Sequence, residues 1–455
     1  MDIEKFLREI KEKIINYRRD FHKYPESTWK EFRTSSLIGK YLREMGYEIK
    51  IGKEIISEEH RLDVPNELDL KKSYEKSLKQ GAYKELSDYM IGGYTGVVGI
   101  LQNGEGPTIA LRFDIDGVKV LECENNEHFP FKNGFSSLNR GIMHACGHDG
   151  HIAIGLGVAE GIIRFKEYFN GTIKLIFQPG EESVCGGNPM AQSGILDDVD
   201  YLLSGHIGIK ARKSGEIICG TKGFLATSKI NAEFTGKSSH AAVAPEKGHN
   251  ALLSASTAVL NLDAIPRNGE GITRINVGKL IAGSGRNVIP GKAFMEVETR
   301  GETTELNEYM ESYATRILKA SADMHDNHVK ISCLGRSISG SSDRELIDII
   351  KWEVKNIKGY NNVIDEEDFG ASEDICYMMK RVQKNGGKAS YIMFGSELKD
   401  EHHSIRFDFN EEDLFPAINL YLRVVMNLCN KNNKIFKRWI IFNNYSIYIY
   451  GSVSK

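Results

Sequence analysis

"MHACGHDGHIA", residues 143–153, gathers His144, Cys146, His148, Asp149 and His151 into one short stretch bounded by glycine-rich and apolar sequence. Cys146 and His148 are one residue apart, too close for a zinc-finger pair and unlike the spacing of a redox CxxC pair. Taken alone, the stretch reads as a core turn in which Cys146 is a small buried hydrophobe and the histidines are satisfied polar groups. It also reads as half of a metal site, and that reading requires further ligands elsewhere in the chain.

Working outward, the candidates follow strand-like runs. "YTGVVGIL" (94–101), "PTIALRFDID" (107–116), "GTIKLIFQPGEE" (171–182) and "DYLLSGHIGI" (200–209) predict strands with polar residues clustered toward their carboxyl ends. Ligands of open α/β sheets collect outside those ends. Glu181 and Glu182 follow the apolar run "IKLIF" and a proline turn, and His206 follows another strand. Near the chain end, "DEHHSIRFDF" (400–409) adds His402 and His403 ahead of an apolar stretch. Cys146, His148, Glu182, His206 and His403 then form a set of soft-to-borderline ligands, enough for two metal ions sharing one bridging ligand. Of the two adjacent glutamates, one can bind metal while the other faces the reacting centre.

The 455-residue length exceeds what one core usually serves, so two domains are expected. A net charge of -3 and an ordinary globular composition give no reason to expect a nucleic-acid partner, and small soluble molecules are the better match. The amphipathic start, with Ile3, Phe6, Leu7, Ile10, Ile14 and Ile15 on one face, predicts a helix and lacks the apolar core of a signal peptide. No run reaches the roughly 18 apolar residues that cross a bilayer. Seven scattered cysteines fit a reducing compartment, which makes the cytoplasm the expected location.

Alternating strand and helix patterns predict a layered α/β fold for residues 1–221 and 333–430. Residues 55–90 form a charged segment, read as an insertion before the first sheet strand. From residue 222 the texture becomes strand, helix, hairpin and helix, so residues 222–332 are expected to be an inserted, smaller α+β domain, ferredoxin-like, with a sheet edge open to a partner. Residues 431–455 are a β-prone aromatic extension of unknown role.

The blocks "RRDFHKYPE", "ALRFDIDG", "MHACGHDGH", "FQPGEE", "SGHIG", "SSHAA", "NVIP" and "ASED", in this order between residue 18 and about residue 428, resemble the M20 metallopeptidase family in its amidohydrolase branch. The resemblance implies a catalytic α/β/α sandwich with an inserted lid and dimerisation domain. It implies Cys146, His148, Glu182, His206 and His403 as ligands of two divalent ions, zinc or manganese with cobalt as an alternative, and Glu181 as general base. Asp116 matches the aspartate that orients a histidine ligand, and Asp114 is placed beside it in support. His240 of "SSHAA" is the implied oxyanion donor, brought to the site of the partner subunit in a homodimer; a loop histidine is its plainer reading. Arg286 and Asn287 of "SGRNVIP" and Arg300 of "ETRG" are candidates for binding a substrate carboxylate, and Arg300 reads equally as a surface residue of a strand. His144, His151, His249 and His402 are expected to be structural or supporting. The sequence departs from the family in one block, "DGVKV" standing where "DALP" is usual.

The activity so implied is hydrolysis of N-acyl or N-aroyl amino acids, with p-aminobenzoyl-glutamate the leading candidate. A dipeptidase, and a subunit that needs a second, related chain, are the alternatives.

Overall fold

The computed structural model describes residues 1–430, so the extension at residues 431–455 lies outside the described residues. The strands are β1 (Glu48–Ile51), β2 (Val97–Asn103), β3 (Thr108–Asp114), β4 (Gly171–Gln178), β5 (Tyr201–Ile207), β6 (Glu216–Lys222), β7 (Ala226–Thr235), β8 (Thr273–Ala282), β9 (Lys292–Gly301), β10 (His328–Ser337), β11 (Asn362–Asp368) and β12 (Lys388–Phe394). They form an eight-stranded sheet in the order β1-β2-β4-β3-β5-β12-β6-β11 and a four-stranded sheet in the order β10-β7-β9-β8.

In the large sheet β4, β3, β5 and β12 are mutually parallel. Asp114 pairs with Gln178, and Ile207 with Phe394, so four carboxyl ends open on one edge. The helix His148–Arg164 packs between β3 and the helices Ile3–Lys23 and Leu414–Leu428, and the helix Ile375–Lys384 packs on β5 and β12. This is the α/β/α sandwich expected. The helix His148–Arg164 is buried along nearly its whole length because its glycines remove the bulk that would hold its neighbours off. A Cβ on Gly155 would lie 2.7 Å from Phe177 Cε1 on the sheet side, and one on Gly161 would lie 2.5 Å from Leu422 Cδ1 on the helix side.

The small sheet is antiparallel throughout, and with the helices Ala251–Asp263 and Thr304–Asp323 it makes the βαββαβ order of a ferredoxin-like unit. Its core, from Ile230, Phe234 and Leu262 to Met295 and Leu318, is separate from that of the large sheet. The closing strand β10 escapes the pattern reading and crosses residue 332, the boundary expected for the small domain.

One expectation is corrected. The charged segment 55–90 does not precede the sheet: β1 comes before it and pairs antiparallel with β2. The segment is the β1–β2 connection, and it folds as the helix Glu67–Lys79 with short turns on either side. A four-residue edge strand is too short to give a periodic signal.

Candidate active site

The parallel strands deliver their loops to one place. After β3 the chain reaches Asp116, after β4 Glu181 and Glu182, at the end of β5 His206, and after β12 His402 and His403. The Cys146–His148 turn closes over them from the start of the helix His148–Arg164. Gly147, at φ 86°, takes the left-handed conformation that lets Cys146 and His148 face the same side. His403 N–H donates to Ala145 O at 2.8 Å, tying the two loops together.

Asp116 aligns both halves. Its carboxylate accepts the N–H groups of Glu181 (3.1 Å) and Glu182 (3.2 Å) and the Thr28 hydroxyl (3.2 Å). Its peptide oxygen lies 2.8 Å from His148 Nδ1, which must therefore carry the proton and leave Nε2 with a lone pair. That Nε2 is buried and has no hydrogen-bond partner, and the same is true of Glu182 Oε1, 3.7 Å away. Glu181 Oε2 lies 3.7 Å from the same nitrogen. Cys146 Sγ is 3.3 Å from His206 Nε2, whose ring donates Nδ1–H to Ile207 O at 2.7 Å. His403 Nε2 is 3.3 Å from Glu182 Oε2.

These separations suit a shared cation. Donors bound at about 2.0–2.3 Å around a tetrahedral ion are spaced about 3.3–3.7 Å apart. The electrostatics agree. Burial, with Glu182 and Glu181 beside it, pushes the Cys146 thiol up, so a thiolate there needs a positive neighbour. Burial alone would lower His148, yet Asp114, Asp116 and Glu182 raise it to about 10, so the pocket without a metal draws a proton to that ring. Burial holds His206 neutral, as a ligand must be. Cys146, His148 and Glu182 form one group able to hold an ion, and Cys146 and His206 another with His402. His402 Nε2 is already engaged with Ile207 O at 3.1 Å, and its neighbour His403 reaches Glu182 instead.

His151 is close to these ligands but fully committed. Its Nδ1 meets Asp114 Oδ1 at 2.5 Å, and its Nε2 accepts Ile207 N–H at 3.0 Å. Behind it lies a cluster centred on Arg112, a residue to which the sequence reading gave no role. Arg112 bonds Asp114 (2.6 Å), Glu373 (3.1 Å), Asp374 (3.3 Å) and Gln178 (2.8 Å), all buried. Burial, then Glu373 and Glu182, hold the Glu181 carboxyl well above its usual range. The clue to this cluster is a charged residue, Arg112, in the middle of the apolar run "IALRF".

A cavity of about 230 Å³ is lined by Cys146, Glu181, Glu182, His206 and His403 and, from the small sheet, by Lys229 and Arg300. Arg300 makes hydrogen bonds to Glu298 at 3.0 and 3.1 Å. Lys229, absent from the sequence reading, donates to Glu182 O at 3.1 Å. His240, Arg286 and Asn287 do not line this cavity. They sit together in the loops of the small domain, where His240 pairs with Val288 and Ala241 N–H donates to Asn287 O at 3.0 Å. His240 is exposed there.

The model of peptidase family M20/M25/M40 matches residues 110–427 of this chain. The chain belongs to that family. It is 40% identical over 427 residues to a p-aminobenzoyl-glutamate hydrolase subunit of Escherichia coli K12, covering 93% of this chain and 98% of the relative. It is 38% identical to indole-3-acetyl-aspartic acid hydrolase of Enterobacter agglomerans, again over 93% of this chain and 98% of the relative. The crystal structure of the aminobenzoyl-glutamate utilization protein of Klebsiella pneumoniae superposes with a TM-score of 0.83 at 34% identity, covering 95% of this chain and all of that one. This M20 chain is a hydrolase of amide bonds, and among its described residues no helix is long and apolar enough to cross a membrane.

Proposed function

We propose that the chain is a metal-dependent amidohydrolase that releases an amino acid from an N-acyl or N-aroyl conjugate, with p-aminobenzoyl-glutamate the leading substrate. The observation that carries this reading is the pair of buried, unpartnered atoms His148 Nε2 and Glu182 Oε1, with the Glu181 carboxylate at the same nitrogen. Two divalent ions held by Cys146, His148, Glu182, His206 and His403, whether zinc, manganese or cobalt, would acidify a water and polarise the scissile carbonyl. Glu181 takes the proton from the attacking water and delivers it to the amide nitrogen, because an amine leaves poorly until it is protonated. Asp116 keeps His148 in the required tautomer and fixes the Glu181–Glu182 turn.

His240 donates to the tetrahedral oxyanion in this reading, supplied by a second copy of the chain together with Arg286 and Asn287. Its exposure and its absence from the lining of its own chain's cavity support that arrangement. So does apolar surface on the small domain, where Leu252, Leu253 and Leu260 of one helix and Leu280 and Ile281 of the edge strand β8 are exposed.

The test is a hydrolysis panel of aroyl-glutamates, acyl amino acids and dipeptides, run with the parent and with Glu181→Gln. Aroyl-glutamates should be cleaved fastest, and Glu181→Gln should keep its metal while losing at least about 100-fold in turnover. Turnover within a few-fold of the parent would remove Glu181 from the chemistry, and preference for dipeptides would favour the peptidase alternative.

A further inference from the structure

A second cavity, of about 520 Å³, is lined by Glu182 and His403 but not by Cys146. Three lysines from separate parts of the chain meet in it: Lys30 ahead of the helix Phe32–Met45, Lys119 in the loop after β3, and Lys229 on β7 of the small domain. Its outer wall is the β1–β2 connection, through Asp63, Pro65 and Asp69. None of the three lysines has a carboxylate within ion-pair distance among the described residues, and the one side-chain hydrogen bond they make is that of Lys229 to Glu182 O.

The lining also carries three carboxylates, Asp63, Asp69 and Glu182. Asp63 faces all three lysines: burial raises its carboxyl above the usual range while Lys119, Lys229 and Lys30 oppose that rise. Asp69 turns to the start of its own helix, where Asn66 bonds its carboxylate at 2.9 Å. Glu182 belongs to the proposed metal ligands and Asp69 is bonded by Asn66, so Asp63 is the lining carboxylate left to face the three ammonium groups, next to the atoms that would hold the scissile amide. Arg300, by contrast, already has Glu298 as a partner.

We propose that Lys30, Lys119 and Lys229 form a subsite for the side-chain carboxylate of an acidic amino acid, so that the enzyme selects conjugates of glutamate or aspartate. This rests on the amidohydrolase reading above and gives the β1–β2 connection a purpose, since it walls the subsite. Lysine suits the task because a mobile ammonium can meet a carboxylate on a side chain of either length.

The experiment compares kcat/KM for p-aminobenzoyl-glutamate and its neutral isostere p-aminobenzoyl-glutamine in the parent, Lys30→Gln and Lys119→Gln. Each substitution keeps most of the side-chain length and removes one charge. A lost charge-assisted contact should lower kcat/KM on the glutamate conjugate by about 10- to 100-fold, with the glutamine conjugate changed less than about threefold. An unchanged ratio between the two substrates overturns the subsite. Calorimetric titration of the full chain with L-glutamate and L-glutamine provides a readout independent of turnover. The parent should prefer glutamate and both variants should lose that preference; equal binding, or none, overturns the subsite. Glutamate preference without hydrolysis of any conjugate would overturn the amidohydrolase reading and leave the subsite standing.

Discussion

Cys146→Ala and His148→Ala are expected to lower bound metal as well as activity, whereas His144→Ala should leave stoichiometry intact. The three residues lie within five positions, but only Cys146 and His148 share a group with Glu182. His144 is buried with both ring nitrogens unpartnered, and burial lowers it to about 3. Elemental analysis of each purified variant makes the comparison, and full metal in Cys146→Ala would return the motif to a purely structural role. Residue by residue, the ligand types were legible because thiol, imidazole and carboxylate follow strands in recognisable blocks. Lys229 and Arg112 were not, since a charged residue inside a strand reads as solvent-facing until the opposing element is known. His22 is a similar case. Burial would lower it, but ion pairs with Asp149 and Glu122 raise it to about 9 from 6.5. Its stabilising contribution is therefore complete below pH 6.5 and is lost as the pH rises through 9, on the order of 3 kcal/mol. Denaturation of the parent and His22→Gln across that range should show the difference in stability between them shrinking as the pH rises; a constant difference would contradict the assignment.

At the scale of elements, the helix His148–Arg164 positions the site by lying unusually close to both of its neighbours. Gly155→Val would push a branched side chain into Phe177 and Phe113, where a Cβ alone comes within 2.7 and 2.8 Å. Overpacking of this kind costs about 1–3 kcal/mol, and here it also shifts the turn that presents Cys146 and His148. Gly269→Ala, with nothing within 4 Å of the added carbon, is the control and should stay within about 0.5 kcal/mol of the parent. Thermal melts and metal content of both variants would check this, and parental metal binding in a destabilised Gly155→Val would uncouple helix packing from the site. The helix itself was legible from its apolar, glycine-rich run. The edge strand β1 and the closing strand β10 were not, because their identity comes from hydrogen bonds to β2 and β7 rather than from their own composition.

At the scale of the whole molecule, the question is which copy of the chain completes a site. If a second copy supplies His240, then His240→Ala and Glu181→Gln are each nearly inactive alone, yet a mixture regains activity. One site of each mixed dimer then joins an intact Glu181 to an intact His240. A statistical mixture should recover about one quarter of the parent activity, as two-fold pairing requires. Native mass spectrometry would establish that mixed dimers form, and no recovery in their presence would place His240 outside the chemistry of the partner.

The order of motifs, the layered α/β pattern and the candidate ligands were determined by sequence, because strand ends and donor chemistry are local properties that a single stretch can display. Tertiary structure decided which donors meet. It turned Asp116 toward the Glu181–Glu182 turn, engaged His151 with Asp114, and left His148 Nε2 without a partner. It also brought Lys30, Lys119 and Lys229 to one cavity from three distant segments. Lysines that far apart in the chain carry no joint signal, since what relates them is the closure of the sheet, the β1–β2 connection and the small domain around a common space.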